Sequence, residues 1–179
     1  CFLSITCLLN AADKPVIQIH TDNSSLIFRV ADNGRLYQSY LGKKLNHEAD
    51  ISHLPQGTEA YITHGMEDYF EPAIHILHND GNPSLLLKYV SHETKAVSQG
   101  VNETIITLGD DKYPVTVKLH YVTYPAEDII KTYTEISHKE KKPVVLHQYA
   151  SSMLHLNRAK YYLTEFSGDW AHEANISDQ

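Results

Sequence analysis

The sequence predicts an all-β protein, built as an antiparallel sandwich or barrel, and three observations support this fold class. Short runs such as V-I-Q-I-H at positions 16–20 alternate between the two faces of a strand, one of them apolar. Clusters of Gly, Asn and Asp, for example Asp32-Asn33-Gly34, separate these runs at fairly regular intervals. Helical periodicity is nowhere sustained along the sequence. Strands joined by short turns in this way are typical of antiparallel sheets.

The same pattern gives the strands in chain order. We expect strands at 16–20, 25–30, 35–41, 73–77, 85–91, 104–108, 115–123, 129–136, 144–149 and 161–166. The segment 48–59 is the longest predicted loop, and 125–128 has room for one short turn of helix. The basic run 138–142 is interpreted as a solvated hairpin tip between two strands. Residues 167–169 are predicted to break the last strand, and we expect no closing element after them.

Length, composition and charge are those of a globular domain. The 179 residues are enough for one sizeable core or two small ones. Fifteen basic against 22 acidic residues give a net charge of −7 with His neutral. A surface that binds nucleic acid needs a basic face to displace counterions. We therefore expect no nucleic-acid partner.

The first twelve residues differ in character from the rest of the chain. Residues 1–9 are apolar but too short to span a bilayer, and small residues followed by Asp13 come after them. This resembles the remnant of a secretory signal peptide, and a buried first strand is the alternative. We therefore expect a domain over 13–179 in a secreted or periplasmic protein without a membrane span. Because Cys1 and Cys7 are the only cysteines, the domain itself has no disulfide framework or thiolate metal site.

The remaining polar residues do not form a recognisable catalytic or metal-binding pattern. His75 and His78 are three residues apart, so in a strand they lie on opposite faces and are not expected to share a metal. The twelve histidines are otherwise scattered singly. The sequence has neither a Gly-rich phosphate loop nor a G-x-S-x-G motif. It therefore predicts no metal, no cofactor and no catalytic residue within this chain.

The densest cluster of carboxylates and aromatic residues is the loop 66–71. Asp68 is placed to hydrogen-bond sugar hydroxyls, and Tyr69 beside it is placed to stack on a sugar ring. The alternative interpretation is a solvated turn before a strand. We therefore treat Asp68 and Tyr69 as the candidate substrate-binding residues.

Trp170, the only tryptophan, follows directly after the predicted end of the last strand. A large aromatic residue at this place can fill the core under a turn. It can also pack between this domain and a second domain, since chains leave one domain for the next at such points. We take Trp170 as the candidate domain-interface residue and keep the core position as the alternative.

A series of short motifs runs through the chain in a fixed order. They are Gly34-Arg35-Leu36, Tyr40-Leu41-Gly42, Tyr69-Phe70-Glu71-Pro72-Ala73, Val117-Lys118-Leu119-His120-Tyr121, Asp128-Ile129-Ile130, Glu135-Ile136-Ser137, Val145-Leu146-His147, Ala150-Ser151-Ser152, Tyr162-Leu163 and Gly168-Asp169-Trp170 with Glu173. Their order and spacing resemble the start of the glycoside hydrolase family 36 α-galactosidases, from roughly residue 16 onward. The resemblance implies an antiparallel β-supersandwich similar to that of galactose mutarotase.

The resemblance also implies a function for the whole protein. Family 36 enzymes hydrolyse terminal α-galactosides with retention, using one aspartate as nucleophile and another as acid/base, about 5 Å apart. In the family both aspartates lie in a (β/α)8 barrel that follows the sandwich. No catalytic residue is therefore carried over to this sequence, and this part alone is expected to be inactive. The family uses its first domain to support the barrel, to help assemble homo-oligomers and to offer a loop to the active-site rim.

Two other classes of function stay open at this point. One is a free-standing carbohydrate-binding module, which would bind sugar without a barrel. The other is a mutarotase-like epimerase, which needs a histidine and a carboxylate that converge inside the sandwich. One fold hosts many functions, so the fold alone does not choose between these classes.

Overall fold

The chain forms two four-stranded antiparallel sheets, a smaller two-stranded sheet and a terminal hairpin. The computed structural model describes residues 14–65, 71–156, 164–169 and 172–178. Residues 1–13 lie outside these ranges, so the signal-peptide interpretation stays a prediction.

The N-terminal sheet consists of neighbouring strands in the order of the chain. Its strands are β1 (Val16–His20), β2 (Ser24–Val30), β3 (Leu36–Lys43) and β4 (Thr58–Glu59). The turn Asp32-Asn33-Gly34 connects β2 to β3, with Gly34 at φ +79° and its amide donating to the Ala31 carbonyl at 2.9 Å. Gly tolerates this left-handed conformation because it has no Cβ. The hairpin predicted at this turn is confirmed.

The predicted loop 48–59 contains a short helix, α1 (Glu48–Ser52), and β4. Ile51 is buried, so one apolar residue anchors a helix too short to show periodicity in the sequence. Gly57 lets the chain return to β3. A Cβ at this position would lie 1.9 Å from the Gln38 carbonyl oxygen, and its φ is +83°.

The second large sheet, here called the central sheet, has the order β6-β7-β8-β9. Its strands, which follow β5 (Ile74–Leu77), are β6 (Lys88–Ser98), β7 (Val101–Gly109), β8 (Val115–Tyr124) and β9 (Ile129–His138). Strands β6 and β7 are longer than predicted, because residues 92–98 are exposed and mostly polar and give no apolar alternation. The segment 125–128, for which a short helix was considered, is a turn closed by Asp128 N donating to the Pro125 carbonyl at 3.1 Å.

The core lies between the N-terminal sheet and the central sheet. Phe28 is fully buried and its ring packs against Tyr121 of β8, with ring centroids 5.1 Å apart. Further core residues from the two sheets are Ile17, Ile19, Leu26, Leu36, Ile106, Leu108, Val115, Val117 and Leu119. Two antiparallel sheets that face each other across one apolar layer form a sandwich. The predicted all-β antiparallel sandwich is therefore confirmed.

A crossover, and not a hairpin, follows β9. Strand β10 (Val145–Tyr149) pairs antiparallel with β5, which is about 70 residues earlier in the chain, and not with β9. The interpretation of 138–142 as a solvated hairpin tip is therefore wrong. The Glu140 carboxylate within it is buried and lies 2.7 Å from His78 Nδ1, which fixes this connection to the end of β5.

The end of the chain also differs from the expectation. Strand β11 (Thr164–Asp169) continues through the predicted break and pairs with β12 (His172–Asp178), with Asp169 opposite His172. Only two residues of β12, Ala174 and Ile176, are apolar, and the sequence analysis did not indicate a closing strand from so short an alternation. Pairing of the two backbones supplies the hydrogen bonds that define both strands.

Within the described ranges we found no helix with the length and apolar character that a membrane crossing requires.

The inter-sheet contact gives a direct prediction for stability. Replacing Phe28 with Ala removes a fully buried ring and leaves a cavity beside Tyr121. We expect a loss of about 3–5 kcal/mol in the free energy of unfolding, measured by urea titration. The exposed Val90→Ala serves as the control and should change stability by no more than about 0.5 kcal/mol. A loss for Phe28→Ala no larger than that of the control would contradict this account of the core.

Candidate functional site

The residues that the sequence singled out lie outside the described ranges. Asp68 and Tyr69 belong to the segment 66–70, and Trp170 precedes β12. Their proposed roles in substrate binding and in a domain interface therefore stay predictions. The structure does describe the residues that flank 66–70 on both sides.

Both ends of the segment 66–70 are fixed to the two-stranded sheet of β5 and β10. On the N-terminal side, the His64 amide donates to the Ile74 carbonyl at 2.9 Å, next to a parallel bridge between Thr63 and Ile74. On the C-terminal side, Gln148 Nε2 of β10 donates to Glu71 Oε1 and to the Pro72 carbonyl, both at 2.9 Å. The sheet of β5 and β10 thus fixes the residues that flank the segment 66–70 on both sides.

Three histidines from three segments stack beside this loop stem. The His64 and His75 rings are 3.8 Å apart and nearly parallel, and His147 lies 4.8 Å from His75. His147 falls at a register shift of β10, a β-bulge that changes the direction of its side chain. Burial, followed by the charges of His64 and His147, lowers the pKa of His75. Among the described residues no group of three His, Cys, Asp or Glu side chains is arranged to hold a metal ion.

His78 has a different environment from His75. Its ring stacks on Tyr113, with centroids 3.5 Å apart, and its Nδ1 faces the Glu140 carboxylate. Its Nε2 lies 3.0 Å from the Ser84 carbonyl oxygen. His75 lies in β5 and His78 directly follows that strand, and the two histidines contact separate sets of residues.

A cluster of hydrogen-bonded and charged side chains, which the sequence analysis did not predict, surrounds Glu103. We call it the Glu103 cluster; it comprises Glu103, His120, Tyr133 and Lys95 on the outer face of the central sheet. Tyr133 donates its hydroxyl to Glu103 Oε1 at 2.6 Å, and His120 Nδ1 lies 2.9 Å from the same oxygen. Lys95 Nζ is 3.0 Å from Oε2. The sequence places these residues on four different strands, and only the strand register brings them together.

The cluster holds a charged carboxylate in a fixed position. Hydrogen bonds from Tyr133, His120 and Lys95, in that order, lower the pKa of Glu103 from 4.5 to about 2, although burial opposes this shift. The bond to Glu103, followed by burial, raises the pKa of Tyr133. His120 Nε2 is buried without a hydrogen-bond partner among the described residues, with Glu135 Oε2 at 3.8 Å.

The mutarotase-like alternative requires a histidine and a carboxylate that converge inside the sandwich. The Glu103 cluster brings such a pair together on the outer face of the central sheet, and a second pair, His78 with Glu140, lies buried at the end of β5. A carboxylate with a pKa of about 2 is a weak general base near neutral pH. The buried Nε2 of His120 is also out of reach of a substrate. The cluster is therefore suited to hold charge and hydrogen-bond a ligand, and poorly suited to transfer protons.

With the fold and these geometries established, the family of the chain is clear. The sequence matches the glycosyl hydrolase family 36 N-terminal domain over residues 33–179, and the chain belongs to this family. The resemblance found in the sequence motifs is confirmed. None of the curated proteins matches the sequence significantly.

Solved structures share the fold. An α-galactosidase from Lactobacillus brevis aligns with a TM-score of 0.79 at 20% identity, over 94% of this chain and 27% of that chain. The galactosidase domain of the α-galactosidase–sucrose kinase AgaSK gives 0.82 at 20% identity, over 92% and 28%. The family 36 α-galactosidase AgaA from Geobacillus stearothermophilus gives 0.82 at 18%, over 92% and 28%. The chain thus spans a little over a quarter of the length of these structures.

The Glu103 cluster predicts a specific pH dependence of stability. The folded-state pKa of Glu103 is depressed, so its contribution is complete above pH 4.5 and is lost as the pH falls toward 2. Glu103→Gln cannot make this contribution. We expect it to be less stable than the wild type by roughly 1–3 kcal/mol at pH 6, allowing for solvent screening at the half-exposed Lys95. The difference should shrink steadily below pH 4.5.

Urea unfolding of both proteins at a series of pH values measures this difference. Glu127→Gln, in the exposed turn after β8, is the matched control for loss of one carboxylate. A stability difference for Glu103→Gln that stays constant from pH 6 to pH 3 would show that Glu103 does not carry this linkage.

Proposed function

We propose that this chain is the non-catalytic N-terminal domain of a retaining α-galactosidase. The family match over residues 33–179 is the observation that carries the proposal. The small share of each galactosidase that the chain covers supports it, because most of such a protein lies outside the region aligned here. The catalytic aspartates are assigned to a barrel domain of the same protein, and this chain supports that barrel.

The substrates are proposed to be α-galactosyl oligosaccharides. Variants of AgaA from Geobacillus stearothermophilus have been solved in complex with raffinose and with stachyose. Both of these ligands are oligosaccharides, so we propose substrates of the same class for the protein that contains this chain.

An exposed apolar surface supports packing against a further domain or subunit. Several large apolar residues of β10 and the segment after it are exposed: Val145, Leu146, Tyr149, Leu154 and Leu156. Large apolar side chains that are exposed close together in the chain are typical of interaction sites. We propose that the barrel or a neighbouring subunit of a homo-oligomer covers this surface, and that Trp170 belongs to the same interface.

The loop 66–71 is proposed to reach the rim of the active site. Asp68 would accept hydrogen bonds from substrate hydroxyls, and Tyr69 would stack on a sugar ring. The bonds of His64 and Glu71 to β5 and β10 support this role, because a binding loop needs a fixed stem. Secretion or a periplasmic location is proposed from the composition of residues 1–12 alone.

The assignment of catalysis to another domain can be tested directly. The full-length protein should release nitrophenol from an aryl α-galactoside, whereas the purified 179-residue chain should not exceed a buffer blank. Release of nitrophenol by the chain alone would overturn the non-catalytic role. A full-length protein that binds galactosides without hydrolysing them would favour the carbohydrate-binding module instead.

The variant Asp68→Ala tests whether Asp68 binds substrate at the rim of the active site. The variant leaves substrate hydroxyls unmatched, which costs on the order of 1–3 kcal/mol in transition-state binding. We expect kcat/KM of the full-length enzyme to fall by roughly one to two decades at unchanged fold stability. Asp50→Ala, which removes an exposed carboxylate from α1, is the charge-matched control and should retain full activity. Equal kcat/KM values for both variants and the wild type would contradict the rim role and favour the interpretation of this loop as a solvated turn.

A further inference from the structure

The outer face of the central sheet carries a surface depression beside the Glu103 cluster. Its volume is about 480 Å³, and its lining residues are Val97, Glu103, Val122, Tyr124, Lys131 and Tyr133. These residues come from all four strands of the sheet, and none belongs to the stem of the loop 66–71. Side chains on strands keep their relative positions better than side chains on loops.

The floor of the depression is preorganised. The Tyr133 ring stacks on the His120 ring, with centroids 4.2 Å apart and planes 13° apart, and the His120 side chain is only 7% exposed. The hydroxyl of Tyr133 is directed to Glu103 Oε1. The ring is thus fixed by its cross-strand neighbour and the hydroxyl by Glu103, yet 39% of Tyr133 is open to solvent. A ligand would find this ring in place without ordering it first.

Polar and apolar groups alternate around the depression. Tyr133 donates a hydrogen bond to Glu103, and its oxygen can still accept hydrogen bonds. Glu103 Oε2 likewise has acceptor capacity beyond its contact with Lys95. Lys131 makes no ion pair with the described residues, and its Nζ lies 5.9 Å from the centre of the Tyr133 ring. Val97, which is 56% exposed, and Val122 supply aliphatic surface. Hydrogen-bond donors, acceptors and apolar carbon therefore occur within one small area.

The charges favour a neutral ligand over an anion. Glu103 stays ionised and faces the depression, so it would repel a phosphate or carboxylate group. Lys95 pairs with Glu103, and Lys131 is the single cationic side chain among the described lining residues, so no cluster of ammonium groups is available to an anion. A ligand whose hydroxyls both donate and accept, and whose ring has an apolar C–H face, satisfies these groups together.

We propose that this depression is a second carbohydrate-binding site, in which a neutral hexopyranose ring lies on Tyr133 and the two valines and hydrogen-bonds to Glu103 and Lys131. The site does not depend on the rim role of Asp68. It would hold a part of a glycan away from the loop 66–71, without any bond being made or broken.

Methyl NMR of the valine-labelled protein tests the site. Val97 and Val122 lie in the depression, whereas Val145 on β10 lies outside it and serves as the internal reference. The protein is titrated with methyl α-D-galactopyranoside and with methyl α-D-glucopyranoside. At least one of the two sugars should change the methyl chemical shifts of Val97 and Val122 in a saturable way. The expected dissociation constant is on the order of 1 mM, typical of a small ligand on an open surface. Inorganic phosphate should cause no saturable shift.

Three variants test whether the sugar binds in the depression. Lys131→Ala removes one hydrogen bond to the ligand, and Tyr133→Phe removes the hydroxyl that holds the Glu103 carboxylate in place. Each should weaken binding by roughly 3- to 10-fold, the effect of losing one hydrogen bond. Lys118→Ala is the matched control, because Lys118 is on the same sheet but pairs with Glu135 outside the depression. It should bind as the wild type does.

Several outcomes would overturn the proposal. These are the absence of a saturable shift at Val97 and Val122 with either sugar, saturation by phosphate, or wild-type binding by both Lys131→Ala and Tyr133→Phe. A sugar that binds only at an active site would leave the two valines unshifted. The result is therefore independent of whether the Asp68 loop lines a rim.

Discussion

The packing of the two sheets against each other, centred on Phe28 and Tyr121, is the contact on which the rest of the structure depends. Because successive side chains of a strand point to opposite faces, this contact fixes the direction of every other side chain in β7 and β8. Tyr121 points into the core, and its neighbour His120 must then point outward. A slip of one residue would bury the Glu103 cluster and expose the core. The apolar layer therefore also determines where the polar site lies.

The crossover to β10 is the second constraint. Burial alone would raise the pKa of Glu140, but the bonds from His78 and from Asn79 offset burial, and the pKa is lowered overall. An ionised carboxylate is thus held at the end of β5, and the connection it belongs to leads to β10. Pairing of β10 with β5 then brings Gln148 to Glu71. Contacts far from the loop 66–71 in sequence consequently determine how firmly its stem is held.

The sequence predicted local features well and long-range pairing poorly. The hairpin at Gly34 and the alternation of β8 depend on neighbouring residues, and both are confirmed. The partner of β10 depends on residues about 70 positions away, and the sequence suggested the adjacent strand instead. The Glu103 cluster was missed for the same reason, since Glu103, His120 and Tyr133 meet only through the register of three strands. The mostly polar strand β12 was missed because its apolar alternation is limited to Ala174 and Ile176.

The polar groups of the Glu103 cluster are not explained by stability alone. Replacing a buried charged network by apolar residues of similar size is often neutral or stabilising. Here the network also leaves His120 Nε2 without a hydrogen-bond partner among the described residues, which has a cost of its own. Tyr133 and Val97 remain open to solvent beside it, on a face that also carries the charged side chains of Lys95 and Lys131. A ligand site requires apolar surface together with a few polar groups in fixed positions. The outer face of the central sheet has both, because a fixed carboxylate and a fixed aromatic ring lie beside exposed apolar side chains.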